Sequence, residues 1–181
     1  LLAGLVRANL SHAILKEANF ESADLTKANL TFANLTNADL TSAVLVTANL
    51  ERAVLVTANL TKANLAGVDL TGANLTGANL TRANLTNANL DGANLENVNL
   101  SGANLTNAYL VNASLIDANL TKAKLTNAKL FNANIYCADL TGVSIGGRDL
   151  TPSDLEGTVQ LPLNPKQEML ESLSKRPVRS L

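Results

Sequence analysis

The sequence predicts an all-β solenoid, a chain that turns a corner every five residues and stacks coil upon coil. Three observations lead there. At every fifth position from Leu5 to Leu155 stand 31 residues, of which 28 are Leu; the others are Phe20, Ile135 and Ile145. Two residues before each, from Ala3 to Val143, lie 29 small positions, all Ala except Val68, Val98 and Val143. Finally, a period of five suits neither regular backbone. On an α-helix five residues rotate a side chain by about 500°, or ~140° net, so the leucines would spiral instead of forming a stripe. On a flat strand an odd period alternates them between faces. A single buried face results only if the chain itself makes a quarter turn after each repeat, so that four repeats close a square coil. Such coils stack at about 4.8 Å, the spacing of paired strands. Leu then fills the centre of each side, and Ala sits at the corners, where nothing larger fits.

The run Ala73-Asn74-Leu75-Thr76-Gly77-Ala78-Asn79-Leu80 resembles the pentapeptide-repeat family in its bacterial, cyanobacterial-like form, and the resemblance covers residues 3 to about 157. It implies a right-handed quadrilateral β-helix of about seven and a half coils over 1–157, followed by a C-terminal capping segment over 158–181.

The other three positions of each repeat face solvent in this reading. The residue before each Leu is Asn or Asp in 22 of 31 cases. Stacked amides can form hydrogen-bonded ladders; alternatively, Asn serves because it tolerates tight turns. Thr after the Leu suits an exposed β position. The second residue after Leu is mostly bulky from Arg7 to Lys62 and mostly Gly or Asn from Gly67 onward. Because type II turns need φ > 0 at their third residue, a change of turn type is expected near residue 65.

At the C-terminal end the repeat decays at Gly146-Gly147-Arg148 and stops after Gly157. Asn164 is then a good helix N-cap, Pro165 suits the first helical position, and Gln167 completes a capping box. Met169, Leu170 and Leu173 fall on one face of the resulting short helix, which is read as a lid on the last coil, with a dimerisation helix as the rival. At the other end no comparable cap precedes Ala3, which leaves an exposed coil end through which two chains could associate as a homodimer.

Composition narrows the function. The chain has 181 residues, 46% of them hydrophobic but only 3% aromatic, and a net charge of −1. Near-neutral charge offers no electrostatic footprint for nucleic acid or an anionic membrane, so neither is expected as a direct partner. Nor does any apolar stretch reach spanning length. The single Cys137 excludes an internal disulfide. The chain starts Leu1-Leu2-Ala3 without Met; a cytoplasmic location is favoured, with periplasm or thylakoid lumen open if a targeting segment was removed.

Candidate chemistry is sparse. His12 is the one histidine, placed outward in the first coil, and with a single Cys no N/S metal site can be assembled. There is no phosphate-binding Gly-rich loop, and the carboxylates are scattered over different faces. No catalytic, cofactor or metal residues are assigned. The Asn-Leu-Thr sequons are forced by the repeat and say nothing of glycosylation.

Stacking residues twenty apart does gather one group. Val111 and Phe131 neighbour each other on one side, Ile116 and Tyr136 on the next, and Tyr109 lies two residues before Val111. An exposed apolar cluster marks a contact surface, unless the chain beyond Gly157 folds back over it. A second column, Lys62, Arg82 and Lys122 with Lys124 nearby, reads as a solvated ridge. The function expected is therefore a non-catalytic structural or protein-interaction solenoid. The resemblance also implies an alternative, a DNA mimic that inhibits or protects a type II topoisomerase (gyrase). Residues 1–150 oppose it: 10 Lys and Arg stand against 11 Asp and Glu, far from the charge density of DNA.

Overall fold

The structure is a computed structural model, and it describes residues 4–149 together with Leu155, Gly157 and Thr158. Its organising feature is a parallel ladder in which residue i bridges residue i+20. The ladder runs from Gly4↔Asp24 to Lys124↔Ser144 with a bridge on every side of the coil. Each side contributes one bridging residue, the one before Leu, and the chain then turns.

Three backbone hydrogen bonds per side join successive coils. On one side Leu10 N–H donates to Asn29 C=O (2.7 Å), His12 N–H to Thr31 C=O (2.9 Å), and Asn29 N–H back to Ala8 C=O (2.9 Å). Every corner is closed by a bond inside the repeat, as where Ala8 N–H donates to Leu5 C=O at 2.9 Å. That bond draws the Ala Cα inward, which explains why this position is small: Ala28, Ala33 and Ala38 are wholly enclosed. The Leu column fills the axis, with Leu25 to Leu85 showing no exposed surface, and among the described residues no polar side chain is buried. Each such leucine contributes about 1.5–3 kcal/mol of transfer free energy. Val68 and Val98 are accommodated at Ala positions without becoming exposed. In the first coil Leu5, Leu10, Leu15 and Phe20 are only partly buried.

The turn does not change near residue 65. The second residue after Leu has positive φ on both sides of that point, from Arg7 (59°), Phe32 (57°) and Thr47 (53°) to Gly77 (66°), Asn107 (58°) and Cys137 (56°). The inter-coil ladder fixes the backbone there, and it overrides the reluctance of Thr, Phe and Arg to adopt a left-handed conformation.

The Asn before Leu acts mainly within its own turn. Asn74 Oδ1 accepts from Thr76 N–H (3.0 Å) and from Thr76 Oγ1–H (2.7 Å), and the same Asx-turn recurs at Asn34, Asn59, Asn79, Asn84 and Asn104. With Oδ1 engaged, Nδ2 reaches the Thr of the previous coil instead of its amide, as in Asn59→Thr41 (2.8 Å), Asn89→Thr71 (2.9 Å) and Asn104→Thr86 (3.0 Å). Among the described residues one amide-to-amide link occurs at this position, Asn84→Asn64 (3.1 Å). The amide ladder proper sits elsewhere, at the second residue after Leu: Asn127→Asn107 and Asn107→Asn87, each 3.1 Å, and Asn132→Asn112 at 2.8 Å.

A hairpin interrupts the coil after the bridge Lys124↔Ser144. Strand β1 (Ser144–Ile145) pairs antiparallel with β2 (Arg148–Asp149). Gly146 (φ 59°) and Gly147 (φ 82°) make its two-residue turn, both with the positive φ that the tightest hairpin turn requires. Beyond it the corner pattern recurs, with Thr158 N–H donating to Leu155 C=O at 3.1 Å and Gly157 C=O accepting from Asn132 N–H at 2.7 Å. The helix expected around Asn164, Met169, Leu170 and Leu173 lies outside the described residues. So does the segment beyond Gly157 expected to fold back over the aromatic corner, apart from Thr158.

Candidate interaction surface

The expected cluster divides between two sides of the coil. On the first side Tyr109 and Val111 flank the buried Leu110, and Phe131 follows one coil on; Tyr109 is 53% and Phe131 69% exposed. Ile116 and Tyr136 lie on the next side and are half-buried. Gly157 approaches Phe131 closely, since a Cβ built there would meet its Cδ2 at 3.1 Å, yet the ring stays open to solvent.

Tyr109 and Val111 line a surface groove of about 380 Å³ together with Asn87, Asn89 and Asp91 of the coil below. Phe131, Ile116 and Tyr136 are not among its lining residues. Asn89 Oδ1 caps its own turn by accepting from Asp91 N–H at 3.2 Å, and Asp91 Oδ1 accepts from Asn112 Nδ2 at 3.3 Å, so the polar wall is held in place. On the neighbouring side Ser114 Oγ donates to Glu96 Oε1 at 3.1 Å. Hydrogen bonding and charge from the Cys137 side chain, then desolvation and the Asp117 carboxylate, push the Tyr136 phenol above its ordinary value. Cys137 itself is half-buried at an outer corner.

Sequence reasoning missed a second surface feature. His12 and Phe32 stack with centroids 5.1 Å apart and planes within 7°, and the Arg52 guanidinium lies 5.6 Å from the Phe32 centroid. Arg52 also meets Glu51, with Nε 3.8 Å from Oε1. The three residues occupy one corner column at spacing twenty. The coil repeat of about 4.8 Å falls within the range of centroid spacings at which aromatic rings stack, which lets two rings in one column pair in this way. The spacing that found Phe131 would have found this column had it been applied to His12. Farther round, Arg82 and Lys122 of the basic ridge lie over glycines of the next coil: a Cβ at Gly102 would meet Arg82 Cγ at 3.5 Å, and one at Gly142 would meet Lys122 Cγ at 3.4 Å.

Among the described residues no group of His, Cys, Asp and Glu is arranged to hold a metal ion. No helix there is long and apolar enough to cross a membrane.

The sequence pattern of the family described as pentapeptide repeats matches residues 3–41, 38–77, 78–115 and 108–147, in eight copies. No curated protein matches the chain. Several solved structures do. The pentapeptide repeat protein alr5209 from Nostoc PCC 7120 is 37% identical over 60% of this chain and 84% of its own, with a TM-score of 0.50. HetL, a pentapeptide repeat protein involved in heterocyst differentiation regulation from Nostoc sp. strain PCC 7120, is 36% identical over 86% of this chain and 73% of its own, TM-score 0.46. QnrB1, a plasmid-mediated fluoroquinolone resistance protein, is 16% identical over 94% of both chains, TM-score 0.56, and shares the fold alone.

Proposed function

The chain belongs to the pentapeptide-repeat family, whose members fold as right-handed quadrilateral β-helices, and on that premise we propose that it is a non-catalytic protein-interaction solenoid. Its working surface is the late-coil patch of Tyr109, Val111, Ile116, Phe131 and Tyr136. One observation carries the reading: Phe131 is 69% exposed and Tyr109 53% in a protein with five aromatic residues altogether. Large exposed rings gathered on one part of a surface mark a contact. The interior favours the non-catalytic reading, because the axis is packed with Leu and Ala.

Affinity capture with the native chain and with Phe131→Ser plus Tyr136→Ser tests the patch. Partners recovered by the native chain and lost by the variant support it; equal recovery, or none by either, overturns it.

The same premise keeps the gyrase reading as an alternative, since the fold is that of QnrB1. The balance of charge weighs against it: a DNA mimic needs phosphate-like charge density, and this chain carries a net −1. Unchanged supercoiling by gyrase in the presence of the protein would remove that alternative.

We also propose that the rim of the first described coil associates with a second copy. There Leu5, Leu10, Leu15 and Phe20 are partly buried and Ile14 is 81% exposed. A sedimentation profile that stays monomeric at all concentrations rules this out.

A further inference from the structure

Near-neutral overall charge conceals a local imbalance. Between Arg82 and Lys122 the chain carries Asp91, Glu96 and Asp117 and not one Lys or Arg. Nearly two coils therefore form an acidic band within a balanced molecule, and the groove opens on that band. Asp91 stands in its wall beside Tyr109 and Val111. The hydrogen bond from Asn112 uses one of its oxygens. An ionised carboxylate has about four acceptor positions, and among the described residues no Lys or Arg pairs with Asp91.

The columns through this region repeat one order. Read from the N-terminal to the C-terminal coils, Asp91, Val111 and Phe131 follow one another on one side, and Glu96, Ile116 and Tyr136 on the next. Each is acid, then aliphatic, then aromatic. Steps along the axis are about 4.8 Å, the spacing of paired strands, close to the ~5.4 Å pitch of an α-helix. A helix lying along the axis would thus offer one residue per turn to each coil.

We propose that this face docks a basic amphipathic helix of a partner protein, seating a Lys or Arg side chain against Asp91 and apolar residues, one turn apart, against Val111 and Phe131. The proposal rests on the interaction reading above and names the chemistry of its partner. Charge complementarity selects the cation, and the Tyr109 ring adds a π face beside the carboxylate. Lys129 gives the docking a direction. It is the bridge partner of Tyr109 one coil farther on, and it repels a cation from the aromatic end, so the basic end of the helix points toward the N-terminal coils.

The test uses the full chain, isotope-labelled and followed by NMR, titrated with two synthetic peptides. One is an amphipathic helix of Leu and Arg; the other carries Glu wherever the first has Arg. The Arg peptide is expected to shift amides from Asn89 to Val111 and at Phe131, with an affinity that falls as salt screens the pair, while the Glu peptide leaves them unmoved. Asp91→Asn should weaken the Arg peptide about tenfold, the loss of one charge-assisted contact, with the rest of the spectrum unchanged. Equal binding of both peptides, or indifference to Asp91→Asn while Phe131→Ser abolishes binding, overturns the cationic occupant and leaves the contact surface standing. Shifts confined to other faces, with Phe131→Ser without effect, overturn both.

Discussion

The early coils (4–62) and the later ones (67–142) share one backbone but solve its hardest position differently. Each repeat places the second residue after Leu in the left-handed region, which costs an ordinary L-residue about 1–2 kcal/mol. Up to Lys62 that place is held by residues such as Arg7 (φ 59°), Phe32 (57°), Thr47 (53°) and Thr57 (56°). From Gly67 on it falls mostly to Gly and Asn, which accept the conformation readily. The early coils make up for the strain with contacts between coils within a column: the His12–Phe32–Arg52 stack, and a hydrogen bond from Thr57 to Asn37. The later coils need less and are stitched by the Asn87–Asn107–Asn127 ladder. Corner conformation is thus imposed by the ladder between coils, and the corner residue only sets its cost.

The largest effect should come from breaking the core where it is complete. Leu75 is fully enclosed, whereas Leu15 of the first coil is only partly buried. Leu75→Ala should destabilise by about 2–5 kcal/mol in urea unfolding, and Leu15→Ala by clearly less. In a quasi-one-dimensional stack each coil touches only its neighbours, so the Leu75 cavity should also split the transition into two phases. Equal losses at the two sites would show that the first coil is as well covered as the middle.

Exchanging corner residues between the regions comes next. Thr57 and Gly77 are neighbours in one column, and a Cβ at Gly77 would sit 3.4 Å from Thr57 Cγ2. Gly77→Thr should cost about 1–2 kcal/mol from the left-handed backbone alone. The reverse change, Thr57→Gly, should gain less than that. Gly adds unfolded-state entropy of about 0.5–1 kcal/mol, and the bond to Asn37 is lost. If Thr is tolerated equally at both places, the strain assigned to the early coils is absent.

The stack is smaller again. Phe32→Ala removes the partner of both His12 and Arg52 and should cost about 1 kcal/mol, within the range for an exposed aromatic pair. Thermal unfolding of this variant against Phe32→Tyr, which keeps the ring, separates stacking from the backbone.

The square coil was legible because the five-residue period of Leu and Ala admits no other buried face; every bridge of the parallel ladder then falls at spacing twenty. The uniform corner was not legible. Residue preferences at Thr47 and Thr57 argue against positive φ, and only the long-range ladder overrules them. The placing of Tyr109, Val111 and Phe131 on one side and of Ile116 and Tyr136 on the next followed from spacing alone, whereas the seat of Asp91 in the groove depends on side-chain direction. The role of Asn was half legible: composition showed that turns were involved, but not that Oδ1 would be used up inside them.

The smallest expected effect distinguishes charged from neutral corner caps. Asp24, in the early coils, accepts from Thr26 N–H at 3.0 Å. Hydrogen bonding by the Thr26 side chain first, and by its backbone N–H second, holds the Asp24 carboxyl below its ordinary value of 3.8, against a small opposing effect of desolvation. Asn74 makes the same turn with Thr76 in the later coils and does not titrate. Because the folded value of Asp24 is depressed, its contribution is fully present above the unfolded value and is lost as pH falls through the folded one. Stability should therefore decline at acid pH through this corner, and Asp24→Asn should flatten that part of the profile while leaving stability at neutral pH nearly unchanged. Thr26→Ala removes the larger of the two favourable contacts and should bring the carboxyl back toward its ordinary value in an NMR titration. An Asp24 titration unmoved by Thr26→Ala would place the cause of its acidity elsewhere in the coil.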